Sequence, residues 1–403
     1  MGAVIDVAAP ASVDTRASAG TRGRTWRLLI ACARHAAGLT DASEVGDVAA
    51  TINDWAHVER RASAHGLVPW LARALAQGAP SDEHAPIIAA ANASAGRTLA
   101  QVRRLGELVG ALADVGVTAL PYKGPVLSLQ LYGDLALRQS VDLDLVVPFD
   151  TYDVARAALV RRGLPPRWGH SARQERTLFA WLGHAPFGEG VDFVELHWRF
   201  ADRRFPLALD ARDVLRRAQQ TRVAGRTLPL MAADDLLAVL SMHAARHLFE
   251  RLEWIAGVTR LLVAAPMEPA HLMARAEALR ARRMLAVSVH VAAKLLDFPL
   301  DDAWRRALAD DREAEPLAER MVRELAAHEL YDAPWPVGAA LVRRYGELVD
   351  TRMDRARLLM HAALDPTVKD QDALALPDAL VPLHRVIRPL RLAGRYLGRS
   401  LQS

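Results

Sequence analysis

Asp142-Leu143-Asp144 lies in the run SVDLDLVV, where acids alternate with apolar residues. A strand of period two puts both carboxylates on one face and Val141, Leu143 and Leu145 on the other. Two acids so placed repel unless a cation sits between them. Hard carboxylate oxygens suit Mg²⁺; the plain alternative is a solvated edge strand with two exposed acids. A second alternating run, VDFVELHWRF, offers a third acid. Phe193, Glu195 and His197 share one face there, and Asp192, Val194 and Leu196 the other. With Glu195 beside the two aspartates, the three carboxylates match the set that holds two metal ions for in-line phosphoryl or nucleotidyl transfer. Asp192 competes for the third place and needs a bulge to reach it.

Upstream, Lys123-Gly124-Pro125 stands where a strand runs into a helix. Gly124 permits close approach of a phosphate to the backbone, and a helix N-terminus presents free N–H groups. Lys123 adds a point charge and is one of only three lysines, with Lys294 and Lys369, among 51 basic residues. Arg138 and Ser140 directly precede the acids, and Arg138 is placed to neutralise a triphosphate. The bland readings are a plain turn and a surface arginine. His243 and His247 share a helix face at i, i+4. HAARH lacks the glutamate of the zinc-protease motif and no third ligand is evident, so these histidines read as packed against the catalytic segment, facing a substrate cleft with His197. His65, His170 and His184 fall into no constellation. A Walker A loop, a G-x-G-x-x-G fingerprint and a G-x-S-x-G elbow are absent.

These residues need a scaffold. The chain has 403 residues, 51% hydrophobic and 24% charged, which excludes wholesale disorder. Residues 1–24 read as a flexible tail without the pattern of a secretory signal. Residues 25–115 carry helical periodicity. Residues 116–230 read as strand, helix, strand, helix, strand, ending on VDFVELHWRF: a small mixed sheet with helices on a face. Residues 231–403 return to helix, cut by prolines into about six segments. The fold class is therefore α+β, a small mixed-sheet domain between helical N- and C-terminal domains. No run is long enough to span a membrane. The single cysteine, Cys32, forbids an internal disulfide and fits a reducing cytoplasm. The net charge of +4 is too small to call for a nucleic-acid partner. Arg385, Arg388, Arg391, Arg395 and Arg399 form a C-terminal basic stripe, read first as the solvated face of a packed helix and second as a peripheral contact with an acidic or anionic surface.

Taken together, KGPVLSLQLYGDLALRQSVDLDLVV and VELHW resemble the uncharacterised nucleotidyltransferase branch of the DNA polymerase β superfamily. The corresponding features are Lys123-Gly124, Tyr132-Gly133, Arg138 with Asp142 and Asp144, and Glu195 with His197-Trp198. Residues 54–71 look like that branch's N-terminal helix pair, and residues 240–258 like its first helix after the catalytic core. In two respects the chain departs from the pattern. Gly124 is followed by Pro125 and stands farther from Asp142 than the superfamily's Gly-Gly or Gly-Ser element does. Gly257 occupies a position where relatives commonly carry Asp.

The resemblance implies a nucleotidyltransferase domain in which Asp142, Asp144 and Glu195 are catalytic and bind Mg²⁺. Lys123, Gly124, Arg138 and Ser140 would meet the nucleotide, with ATP the foremost triphosphate. The branch occurs in peptide natural-product and polysaccharide pathways, which implies a peptide or small-molecule acceptor. Rival readings are a catalytically silent binding module of this fold and a toxin- or antitoxin-type transferase acting on tRNA or protein.

Overall fold

The computed structural model describes residues 15–400 apart from 79, 224, 265 and 266. The first helix, Thr15–Ala37, begins inside the segment read as a tail; residues 1–14 lie outside the described residues. Its face of Leu28, Leu29, Cys32, Ala33 and Ala36 is buried, an apolar stripe at helical spacing.

Four strands form one sheet: β1 (Leu120–Pro121), β2 (Leu143–Val146), β3 (His184–Phe187) and β4 (Val194–His197), in the order β1-β2-β4-β3. β2 and β4 are parallel, while β1 and β3 run antiparallel on the two edges. A separate hairpin pairs β5 (Gln219–Val223) with β6 (Arg226–Leu230). The sheet is mixed and flanked by helices, as the sequence predicts, but two of its details differ. β3 lies in the Gly- and Pro-rich stretch where no strand is expected. Asp142 precedes β2 rather than lying within it; Val141 beside it is 78% exposed.

The sheet divides two apolar clusters. Leu143, Leu145, Val194, Leu196, Ala185 and Phe187 project to one side, against Leu105 and Leu108 of helix Ala85–Ala113 and Tyr152 and Leu159 of helix Tyr152–Arg161. On the opposite side Leu120, Tyr122 and Val146 join a core shared by the N-terminal and C-terminal helices, including Leu71, Met242 and Ile255. Helix Thr15–Ala37 packs directly on helix Leu252–Ala264. The candidate side chains project toward this second core, and helices Gly124–Tyr132, Ala233–Arg246 and Leu252–Ala264 line the cavity beside them.

From Ala233 onward there are ten α-helices among the described residues, against about six expected. Residues 240–258 span two of them, Ala233–Arg246 and Leu252–Ala264. The break comes at Leu248 and Phe249, both at positive φ (51° and 59°) and both buried. Two apolar residues in that region are strained, and their burial in the core offsets the strain. In the C-terminal stripe, Arg388 and Arg391 both bind the carboxylate of Asp370. These two guanidiniums therefore secure the final helix to the body. The side chains of Arg395 and Arg399 lie outside the described residues.

Candidate active site

β2 and β4 bring the acids together. Their parallel register makes Asp144 and Glu195 direct Cα partners, so both carboxylates leave the same face. Asp142 is held just before β2 by a short loop. Ser140 Oγ donates to the carbonyl of Asp142 at 2.8 Å. Gly124, the first residue of helix Gly124–Tyr132, packs against that loop at φ +58°. A Cβ there would sit 3.2 Å from Ser140 Oγ and 3.4 Å from the Asp142 carbonyl oxygen. Gly124 and Ser140 thus set where Asp142 stands. Oxygens of Asp142, Asp144 and Glu195 all lie within 4.8 Å of one another.

Asp144 is 3% exposed. Its Oδ1 accepts from Lys123 Nζ at 2.8 Å and from His197 Nε2 at 2.9 Å. Burial raises a carboxyl pKa, but the Lys123 ammonium and the His197 hydrogen bond outweigh it and hold Asp144 below its ordinary value. For Asp142 the same two groups act from farther away and do not prevail: burial first, and the neighbouring Asp144 second, push it up to about 7. Burial also acts against ionisation of Glu195, yet His184 and His197 keep it well below the usual range. The Asp144 and Glu195 carboxylates in turn raise His197 against the pull of burial. Burial lowers His184.

Two features fit a divalent cation. Asp144 Oδ2 is buried without a hydrogen-bond partner, and among the described residues no direct ion pair meets Asp142 beside a second acid, Lys123 and His197 acting on it only at longer range. An ion between them would relieve both, and an all-carboxylate donor set suits Mg²⁺. Asp142, Asp144 and Glu195 are the residues that would hold it.

Asp192 is elsewhere. It ends the single turn Gly190–Asp192 and lies 2.8 Å from Arg104 Nε on helix Ala85–Ala113. Arg138 is paired with buried Glu253, Nη2 to Oε1 2.5 Å. It lines the same cavity as Lys123, His243, Glu253, Trp254 and Gly257. The sequence reading overlooked Glu253. Gly66, at φ +73°, makes room for it: a Cβ there would lie 2.2 Å from Glu253 Oε2. His243 and His247 both pack on Trp254, with ring centroids 4.9 and 4.6 Å away. Burial, and after it Lys123, hold His243 well below its ordinary value. His247 faces outward to Glu250 at 3.4 Å, so only His243 of that pair lines the cavity.

His184, read as isolated, is not. Its Nε2 lies 3.4 Å from Glu195 Oε1, and its ring centroid is 4.5 Å from that of His197. Tyr122, also overlooked, places its hydroxyl 3.4 Å from His197 Nδ1. The local signal for His184 was weak because β3 reads His-Ala-Pro-Phe, and proline argues against a strand. Pro186 is tolerated because β3 is an edge.

A family model described as uncharacterised nucleotidyltransferase matches residues 52–297. No curated protein and no solved structure matches the chain.

Proposed function

The chain belongs to the uncharacterised nucleotidyltransferase family, and on that premise we propose that it transfers a nucleoside monophosphate from a triphosphate, ATP foremost, to a peptide or small-molecule acceptor in natural-product biosynthesis. The observation that carries this reading is the convergence of Asp142, Asp144 and Glu195 oxygens within 4.8 Å on one face of the sheet.

Mg²⁺ held by those acids would align the acceptor with the α-phosphate and offset charge on the departing pyrophosphate. Lys123 stands 2.8 Å from Asp144 and swings its ammonium toward the phosphates once Asp144 has another cation. Gly124 and the free N–H groups of its helix, with Ser140, bound the phosphate side. Arg138, ion-paired with Glu253, supplies positive charge across the cavity once a triphosphate draws it from that carboxylate. Glu195, kept ionised by the two histidines, or Asp144 is the nearest base for the acceptor proton. His243, neutral and walled by Trp254, faces the substrate. The net charge of +4 offers no broad basic footprint for a polynucleotide, which supports a small or peptidic acceptor. Among the described residues no helix is long and apolar enough to cross a membrane.

The test combines melting with label transfer. Protein stripped of metal is melted with each nucleoside triphosphate, with and without Mg²⁺, then incubated with labelled triphosphate and cell extract. We expect stabilisation that needs both Mg²⁺ and Asp144, and α-phosphate label in a peptide or metabolite. Stabilisation identical in Asp144→Asn, or none with any triphosphate, would overturn the reading.

A further inference from the structure

The antiparallel register of β3 and β4 makes His184 and His197 direct Cα partners. Glu195, two residues before His197, projects from the same face. His184 Nε2 is 3.4 Å from Glu195 Oε1, and His197 Nε2 is 3.3 Å from Glu195 Oε2. One donor atom from each of the three residues falls within 4.8 Å of the others. These histidines are almost fully buried, at 8% and 3% exposed. His197 Nδ1 is backed by the Tyr122 hydroxyl at 3.4 Å, which is the kind of outer contact that orients a ligating imidazole.

The separations suit ligation better than a tight ion pair. Charge-assisted hydrogen bonds between imidazole and carboxylate run shorter, about 2.7–2.9 Å. His197 achieves that only with Asp144, at 2.9 Å. Donors bound to one tetrahedral ion with bonds of about 2.0–2.1 Å stand about 3.4 Å apart. The imidazole–Glu195 separations are near that spacing but end on different oxygens, Oε1 for His184 and Oε2 for His197, so an ion between the rings would be met by both oxygens or by one after a small carboxylate rotation. The donor set also differs in kind from the three carboxylates: two nitrogens and one oxygen favour a first-row transition ion over Mg²⁺.

We propose that His184, His197 and Glu195 form a second metal site, selective for a borderline divalent transition ion of the Zn²⁺ class and joined to the carboxylate site through Glu195. His197 exchanges its bond to Asp144 for the ion, and Asp144 passes wholly to the carboxylate site. The site rests on the proposed function only in sharing Glu195, and it is assayed without nucleotide.

Co²⁺ serves as the probe, added to the full chain after chelator treatment. One equivalent should produce a visible d–d band that Zn²⁺ removes and excess Mg²⁺ does not. His184→Ala and His184→Gln should each lose the band and weaken Co²⁺ binding at least about tenfold. The glutamine variant retains bulk and a hydrogen-bonding group. Its metal-free melting curve, matched to the parent, shows that the loss is of ligation and not of fold. Asp142→Asn should keep the band while losing any Mg²⁺-dependent response to triphosphate. That contrast separates failure of this site from failure of the transfer reading. Displacement of Co²⁺ by Mg²⁺, a band undiminished in the folded His184→Gln protein, or the absence of stoichiometric Co²⁺ binding would each overturn the proposal.

Discussion

Asp144 and Glu195 face each other directly across the parallel β2–β4 ladder. That single pairing explains why Glu195 and not Asp192 joins the aspartates. A one-residue slip would turn Glu195 away and expose the Val194 face. Asp192 is drawn off instead to Arg104. Glu195→Gln should therefore slow transfer at least about a hundredfold, the scale of a positioned acid–base or metal-bound group. Asp192→Asn should change the rate by less than about threefold, since its exposed ion pair contributes about 1 kcal/mol at most. Single-turnover rates of the two variants decide the matter, and a reversed order would show the register to be wrong.

Asp142 gives a pH-dependent signature. Its folded carboxyl, pushed up to about 7 by burial and by Asp144, lies above its ordinary value. Between that value and about 7 the folded state binds the extra proton, so in metal-free buffer stability falls as pH rises through this window. Asp142→Asn removes the penalty. The variant should melt no lower than the parent at pH 5 and visibly higher at pH 8, while transfer is abolished. A variant less stable than the parent across the whole range would mark Asp142 as structural.

Lys123 has an observed contact with Asp144 and a proposed role at the phosphates, and substitution separates them. Its ammonium, though opposed by burial, is held above its ordinary value chiefly by Asp144. Lys123→Ala leaves a buried carboxylate with one hydrogen-bonding partner. It should cost on the order of 3 kcal/mol in metal-free denaturant unfolding. Mg²⁺ should restore much of that stability, because the ion replaces the lost charge. Triphosphate binding and transfer should both stay weak. Lys123→Arg should recover part of the binding and less of the rate, since a planar guanidinium misplaces the point charge. Unchanged stability and kinetics in Lys123→Ala would reduce the residue to a turn position.

Glu329 tests the join between the two helical ends of the chain. It lies on helix Ala314–Tyr331 and meets Arg61 and His65 of helix Trp55–His65. His65 Nδ1 accepts from the Leu252 backbone N–H at 3.3 Å, which leaves its Nε2 facing Glu329 Oε1 at 3.2 Å. Burial opposes the charge, but His65 and Arg61 bring Glu329 down to about 2. An acid with a lowered folded pKa stabilises fully above its unfolded value, and loses that contribution as pH falls from about 5 to about 2. Glu329→Gln should cost on the order of 3 kcal/mol at pH 7. The difference from the parent should vanish near pH 2 in urea titrations. A pH-independent difference would assign the loss to packing.

Local pattern was enough to expose part of this molecule. The alternation in VELHW placed Glu195 and His197 on one face, and Pro125 after Gly124 marked the start of a helix. Aspartates two apart in an apolar run announced a charge problem that a cation between them would relieve. Such signals survive because side-chain direction along a strand or helix is fixed by backbone period alone. Sequence also set the helical character of both ends, through the spacing of residues such as Leu28, Leu29 and Cys32.

What local pattern could not determine was who pairs with whom. β3 has a proline and only four residues, and it exists because β4 offers it an edge; without that strand His184 has no neighbour. Arg138 meets Glu253 across 115 residues of chain because Gly66 leaves space for the carboxylate. Lys123 settles on Asp144 because burial makes an unpaired carboxylate costly. These contacts depend on register, on the approach of distant helices and on the competition of charges for partners in a desolvated space. Each is a property of the assembled fold, since the free energy that selects it appears only when both partners have left water.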